Sequence, residues 1–147
     1  LLDRFGLSVE VTSPKDVATR VEVVKRRDAF ERDRAAFVAA WEETQAEERE
    51  RVVAARGRIG AVETPDAALA LAAELCLALG ADGLRGELTL IRAARALAAL
   101  EGAGEVAGRH LREIAPSALR HRLRRDPLDE AGSDARVARA VEEVIPA

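Results

Sequence analysis

The residues of this sequence with the clearest capacity for chemistry are arginines spaced along one predicted helix. Arg85, Thr89 and Arg92 occupy positions i, i+4 and i+7, a spacing that places them on one helix face. Arg85 lies near the start of that helix, where the helix dipole also favours an anion. The spacing therefore predicts a polar helix face of the kind used for subunit interfaces or phosphate contacts, and the residues alone give Arg85 no further role.

Other familiar catalytic patterns are absent from the 147-residue sequence. No G-x-x-x-x-G-K-[ST] loop occurs, so nothing in this chain can cradle a triphosphate by itself. His110 and His121 do not flank a cysteine or a carboxylate at metal-ligand spacing, so we interpret both as ordinary surface residues and predict no metal site. The sequence has no Ser-His-Asp signature either.

The charge balance argues against a nucleic-acid partner. The chain has 23 basic and 26 acidic residues and a net charge of -3, whereas non-specific nucleic-acid binding depends on a strong basic excess. One basic cluster is followed closely by acids that reduce its field. Its arginines are Arg120, Arg122, Arg124 and Arg125, and the acids are Asp126, Asp129 and Glu130. We interpret this cluster as a solvated face or as a contact with a neighbouring subunit.

Cysteine usage and hydropathy are those expected of a cytoplasmic protein. The single cysteine, Cys76, lies in an apolar run and cannot form an internal disulfide, so we predict a small buried hydrophobic residue there. Arg or Glu interrupts every apolar stretch, so no membrane span is predicted, and no signal peptide is evident. Because the chain opens on Leu1 and contains no Met, we interpret it as an internal fragment of a longer protein.

The first periodic patterns predict a short strand and then a helix. Residues 6–11 alternate between apolar and other side chains, which indicates a strand with one buried face. Because a lone strand is unstable, it should pair with a sheet outside this chain, so the chain should begin inside an α/β domain. Ser13 and Pro14 are typical of an N-cap and a first helical position. The predicted apolar stripe of that helix is Val17, Val21 and Val24.

The rest of the sequence predicts further helices. Their approximate ranges are 36–41, 42–51, 66–79, 84–101, 109–124 and 134–144. The charged stretch 42–51 should be a solvated helix with a Glu47–Arg51 pair. In the next two helices, Leu69 and Leu88 are among the residues predicted to face the core. Gly80 should end the first of these two helices. The residues alone therefore predict a helical domain attached to an α/β domain.

Three segments resemble one known protein family. They are residues 1–11 (LLDRFGLSVEV), residues 80–102 (GADGLRGELTLIRAARALAALEG) and residues 118–129 (ALRHRLRRDPLD). In this order and at this spacing they closely resemble the ATPase (I-type) subunits of magnesium chelatase, which are AAA+ proteins of (bacterio)chlorophyll synthesis. The resemblance runs over essentially the whole chain and corresponds to the last part of such a subunit.

The resemblance implies a mainly α fold that begins at the edge of a larger domain. Residues 1–13 would be the C-terminal edge of an AAA+ α/β core, contributing a short helix end and a strand. Residues 14–147 would form a helical linker and the C-terminal helical lid domain. The ATP-binding loop would lie in an N-terminal part that this chain lacks, so the chain alone should neither bind ATP well nor hydrolyse it.

The resemblance also implies roles for three residues. Arg4 matches the family's arginine finger, which would reach in trans to the γ-phosphate on the neighbouring subunit. A planar guanidinium suits that task because phosphoryl transfer spreads negative charge over several oxygens. Asp3 beside it would orient the subunit interface. Arg85 matches the second sensor, which would read ATP bound in its own subunit, that is, in cis.

The function implied is that of a motor subunit whose ATP hydrolysis drives Mg²⁺ insertion into protoporphyrin IX. The nucleotide would be ATP with Mg²⁺, bound mainly by the missing N-terminal part. Expected partners are further copies of the subunit in a ring, commonly a hexamer, a second AAA+-like subunit and a large porphyrin-binding subunit. Two alternatives stay open: a related ATPase, of a cobalt-type chelatase or chaperone-like, and a non-catalytic helical adaptor or regulator module.

Overall fold

The computed structural model describes residues 4–81, 84–123 and 132–145 of the chain. Within these ranges the predicted mainly α fold is confirmed. The helices are α1 (Val17–Arg32), α2 (Arg34–Ala40), α3 (Glu42–Arg58), α4 (Asp66–Ala78), α5 (Arg85–Glu101), α6 (Gly108–Leu119) and α7 (Ser133–Val144). Short 3-10 turns occupy Ile59–Ala61 and Arg120–Arg122. The chain divides into two compact units, Glu10–Val53 and Leu1–Val9 with Ala54–Ala147.

The strand predicted over residues 6–11 is not formed in this chain. Residues 7–15 adopt no regular secondary structure, because a strand needs a neighbouring strand and the described residues supply none beside this segment. Among those residues the sole β-type pairing is an isolated parallel bridge between Glu63 and Glu105. The predicted stop at Asp126 and Pro127 lies outside the described residues.

Helix α1 begins later than predicted, at Val17. Its N-cap is Asp16, whose carboxylate accepts a hydrogen bond from the Thr19 backbone N–H at 2.7 Å. That hydrogen bond lowers the pKa of Asp16 from its ordinary value. Ser13 was the predicted cap, but an aspartate caps as well as a serine and lies next to the first helical residue.

The unit Glu10–Val53 is held by local contacts rather than by a core. Neither α1 nor α2 contains a buried residue, and the predicted apolar stripe of α1 is exposed. Phe30 and Phe37 meet edge to face at 5.6 Å between ring centroids, and Phe37 also contacts Trp41 at 6.1 Å. The Glu47–Arg51 pair is wrong: Arg51 instead lies 3.5 Å from Glu48.

The second unit, here called the lid bundle, consists of residues 4–9 and 54–145. Its core is built mainly of alanine and leucine, which allow close helix packing. The largest fully buried apolar side chains are Leu75, Leu90, Leu111, Leu119, Val106, Val137 and Cys76. The prediction of buried Leu69 and Leu88 was wrong, since both are about half exposed.

Two arginines of the lid bundle join elements that are distant in sequence. Arg58, at the end of α3, donates from Nη2 to the Ala99 carbonyl of α5 at 2.8 Å. Arg95 of α5 donates from Nη2 to Thr64 Oγ1 at 2.9 Å, just before α4. Helix α5 is therefore fixed at two points along its length.

His110 is buried, which corrects its interpretation as a surface residue. Its exposed fraction is 1%, and its Nδ1 accepts a hydrogen bond from the Ala107 backbone N–H at 2.8 Å. Because Nδ1 is the acceptor, the ring proton lies on Nε2, which is 3.3 Å from Glu101 Oε2. A hydrogen bond from Arg109 is the main cause of the lowered pKa of Glu101. These contacts fix the start of α6, the helix that leads into the candidate site.

Candidate functional site

The N-terminal segment brings Arg4 to the surface of the lid bundle beside helix α5. The residues there line an open surface pocket of about 500 Å³. Its lining consists of Arg4, Gly6, Arg85, Thr89, Arg92 and Arg122. The two arginines singled out from the sequence, Arg4 and Arg85, thus line one and the same pocket.

Helix α5 presents one side of this pocket through the predicted face. Arg85, Thr89 and Arg92 all line it, as the i, i+4, i+7 spacing predicted. Gly86, next to Arg85, is buried, and a Cβ there would lie 3.2 Å from Cys76 Sγ and 3.6 Å from Leu119 Cδ2. The absence of a side chain at Gly86 therefore lets the first turn of α5 approach α4 and α6 closely.

The turn Arg120–Arg122 supplies the opposite side. Arg122 donates from Nη2 to the Phe5 carbonyl at 2.8 Å and to Thr89 Oγ1 at 3.3 Å, and from Nε to the Ala118 carbonyl at 3.0 Å. His121 Nε2 lies 3.0 Å from the same Phe5 carbonyl. One carbonyl next to Arg4 thus receives two side-chain donors.

The role given to the basic cluster from sequence needs correction at Arg122. This residue is half-buried and bonded within the chain, so it does not belong to a solvated face. Arg120 is also engaged, with Nε 3.1 Å from the Pro116 carbonyl and 3.3 Å from Asp134 Oδ1. Arg124 and Arg125 lie outside the described residues.

Electrostatically the pocket is suited to a polyanion. Four guanidinium groups line it, and no acid is among its described lining residues. Arginines remain charged at all ordinary pH values and present forked donors that match phosphate oxygens. The pocket can therefore bind phosphate groups. Among the described residues, no group of three or more His, Cys, Asp or Glu side chains is placed to hold a metal ion.

Sequence reasoning missed Arg122 and Gly6 as pocket residues. Arg122 and Phe5 are separated by 117 positions, and no local pattern connects residues so far apart. Asp3, the other residue singled out beside Arg4, lies outside the described residues. Cys76 is buried as predicted, and burial raises the pKa of its thiol to about 12, so the thiol is unreactive near neutral pH.

Comparison with protein families identifies the C-terminal helices of the chain. Residues 69–143 match the family described as the AAA lid domain, and this match covers about half of the chain. The chain belongs to the AAA lid domain family. This AAA lid contributes α4–α7, and with them three of the four pocket arginines. Within the described ranges, none of the helices combines the length and the hydropathy that a bilayer span requires.

Curated relatives extend the similarity beyond the AAA lid to nearly the whole chain. The chain is 62% identical over 146 residues to the magnesium-chelatase 38 kDa subunit of Rhodobacter capsulatus, covering 99% of this chain and 42% of that protein. It is 39% identical to the chloroplastic magnesium-chelatase subunit ChlI of Oryza sativa subsp. indica, covering 90% of this chain and 32% of the relative. An uncharacterized protein of Mycobacterium tuberculosis is 44% identical, over 91% of this chain and 21% of that protein. The chain thus spans less than half the length of these relatives.

Proposed function

We propose that this chain is the lid-bearing, C-terminal part of the AAA+ ATPase subunit of a magnesium chelatase. The whole subunit would couple ATP hydrolysis to the insertion of Mg²⁺ into protoporphyrin IX in (bacterio)chlorophyll synthesis. One observation carries the proposal: a pocket with four guanidinium groups lies on a chain 62% identical to a magnesium-chelatase subunit. Residues 1–13 would be the edge of the α/β core, and the protein would work in the cytoplasm.

In the proposed mechanism Arg4 acts on ATP held by the neighbouring subunit. Water attacks the γ-phosphorus, the bond to the β,γ-bridging oxygen breaks, and ADP and phosphate form. Negative charge is spread over the γ-phosphoryl and leaving oxygens in the transition state, and a guanidinium aimed at them stabilises it. Mg²⁺ bound with ATP would be held by residues outside this chain.

We propose a different role for Arg85 from the one expected from sequence, because it lines the same pocket as Arg4. From sequence, Arg4 was expected to act in trans and Arg85 in cis, on two different nucleotides. Two guanidinium groups that line one pocket most simply contact one phosphate chain. We therefore assign Arg85 to the nucleotide that Arg4 reaches, on the neighbouring subunit, with Arg92 adding positive charge beside them.

The proposed assembly is a ring of identical subunits, since a finger acting in trans needs a neighbour. A hexamer is proposed, together with a second AAA+-like subunit and a large subunit that holds the porphyrin. In this assignment the present chain contains neither the porphyrin site nor the site that delivers Mg²⁺ to it. No nucleic-acid partner is proposed.

The test is the steady-state ATPase rate of the intact subunit. Arg4→Ala should lower kcat by about 10³–10⁵-fold, the usual contribution of an arginine finger, and Arg85→Ala should lower it substantially. Arg109→Ala is the matched control, because Arg109 belongs to the same bundle, pairs with Glu101 and does not line the pocket. An unchanged rate in Arg4→Ala would refute the proposed role.

The metal ion that permits ATPase stimulation distinguishes a magnesium chelatase from a related ATPase. The M. tuberculosis relative, 44% identical and uncharacterized, is the observation that keeps such an ATPase as the second candidate. ATPase stimulation by the porphyrin-binding subunit should be measured with Mg²⁺ and with Co²⁺. Stimulation with Mg²⁺ supports the magnesium chelatase, whereas stimulation with Co²⁺ alone supports a cobalt-type enzyme.

A further inference from the structure

Three described contacts attach the segment that follows Arg4 to the lid bundle. The Phe5 carbonyl accepts from Arg122 Nη2 at 2.8 Å and lies 3.0 Å from His121 Nε2. Three residues further on, the Ser8 backbone N–H donates to the Ser117 carbonyl at 2.8 Å. The segment has no regular secondary structure beyond Gly6 and is largely exposed. Among its described contacts, these hydrogen bonds are the ones that hold it against the lid bundle.

Arg122 also bonds to the helix that carries Arg85. The same Nη2 that donates to Phe5 donates to Thr89 Oγ1 at 3.3 Å, one helical turn after Arg85. Its Nε donates to Ala118, which fixes the guanidinium against the end of α6. A single planar group therefore joins the segment next to Arg4, helix α5 and helix α6.

We propose that Arg122 is a positioning residue that holds Arg4 and Arg85 at a fixed separation in the arginine pocket. This inference rests on the proposed function of Arg4 and Arg85. Arg122 would affect catalysis only by positioning these two residues. A guanidinium is needed because its planar fork directs several N–H donors at once, which the flexible ammonium of lysine does not reproduce. Positioning of this kind affects the rate of reaction more than the binding of substrate.

The experiment compares Arg122→Gln, Arg122→Lys and Thr89→Val with Arg120→Gln in the intact subunit. Arg120 provides the matched control, since it lies in the same turn and also donates to a carbonyl of α6, and its described contacts are with Pro116 and Asp134 rather than with Phe5. Two quantities are measured in each variant: hydrogen exchange at the Ser8 amide, and kcat and KM for ATP. Thermal unfolding of each variant establishes that it is folded.

The expected result is faster exchange together with slower turnover. In Arg122→Gln the Ser8 amide should exchange about tenfold faster, because loss of a charged donor frees the segment. The kcat should fall at least about tenfold while KM changes less than about threefold. Arg122→Lys should not restore kcat, Thr89→Val should show a smaller loss of the same kind, and Arg120→Gln should match the unmodified subunit.

Three results would overturn the inference. One is unchanged Ser8 exchange in Arg122→Gln, and another is faster exchange with unchanged kcat. The third is full rescue by Arg122→Lys, which would mean that charge alone suffices. Failure of the proposed function is separately visible, because an active Arg4→Ala subunit would refute the finger whatever the exchange data show.

Discussion

The two units of this chain are both helical, yet different forces hold their helices. In Glu10–Val53 the helices α1 and α2 bury no residue and depend on caps, ion pairs and one aromatic cluster. In the lid bundle, α4–α7 enclose a core of fully buried leucine, valine and alanine side chains. The pocket belongs to the bundle with the core.

This difference indicates where precise geometry is available to the molecule. Exposed ion pairs such as Arg26–Glu22 contribute little, because solvent screens them and side-chain entropy opposes them. A packed core instead fixes helix positions closely, since a change of one methylene is felt throughout it. The guanidinium groups proposed to contact phosphate oxygens are therefore carried by the unit with a core.

The largest expected contrast is between a core leucine and an exposed valine. Leu111→Ala in α6 should lower the free energy of unfolding by about 2–5 kcal/mol, because it leaves a cavity in a fully buried site. Val24→Ala in α1 should change it by less than about 0.5 kcal/mol, since that side chain is 66% exposed. Urea denaturation followed by circular dichroism measures both changes. Equal losses of stability would contradict the difference in packing between the two units.

Two glycines of the lid bundle, one buried and one exposed, show the effect of packing within a single unit and at a smaller scale. Gly86→Ala should destabilise by about 1–3 kcal/mol, because the new Cβ would lie 3.2 Å from Cys76 Sγ in a packed core. Gly57→Ala in α3 meets no atom within 4 Å and should stabilise by up to about 1 kcal/mol through helix propensity. The midpoint of denaturation should move in opposite directions, and a shift in the same direction would argue against close packing at Gly86.

The smallest effect concerns the cap between α1 and α2. Asp33 accepts a hydrogen bond from the Ala36 backbone N–H at 2.9 Å, so Asp33→Ala should cost about 1 kcal/mol. The loss should appear as reduced helical signal from Glu10–Val53 while the unfolding of the lid bundle is unchanged. Asp33→Asn, which retains a capping oxygen, is the control and should restore most of the signal.

The helices of the lid bundle could be predicted well because their signals are local. Gly80 adopts a positive φ of 64° after α4, as its position predicted, and α7 begins one residue before the predicted start. Leu88 was predicted to be buried because it fits an apolar spacing, but the helix turns Leu90 inward instead. Periodicity alone could not distinguish these two nearby registers.

The pocket was only partly predictable. The face of Arg85, Thr89 and Arg92 follows from helical geometry, whereas the meeting of Arg4 with Arg85 depends on tertiary contacts at Phe5 and Ser8. No sequence pattern links Arg122 to Phe5, so the sequence predicts only a solvated face or a subunit contact for this residue. Long-range hydrogen bonds of this kind become visible only when the helices are packed.

We propose above all that Arg4 and Arg85 serve one nucleotide on the neighbouring subunit. Subunits carrying both Arg4→Ala and Arg85→Ala should be mixed with subunits whose ATP-binding loop is inactivated, and ATPase activity measured across mixing ratios. Each parent alone should be inactive, but the mixture should regain activity, because an intact loop then faces a neighbour with both arginines. If Arg4→Ala alone is rescued by mixing while the double variant is not, Arg85 acts in cis and the claim is contradicted.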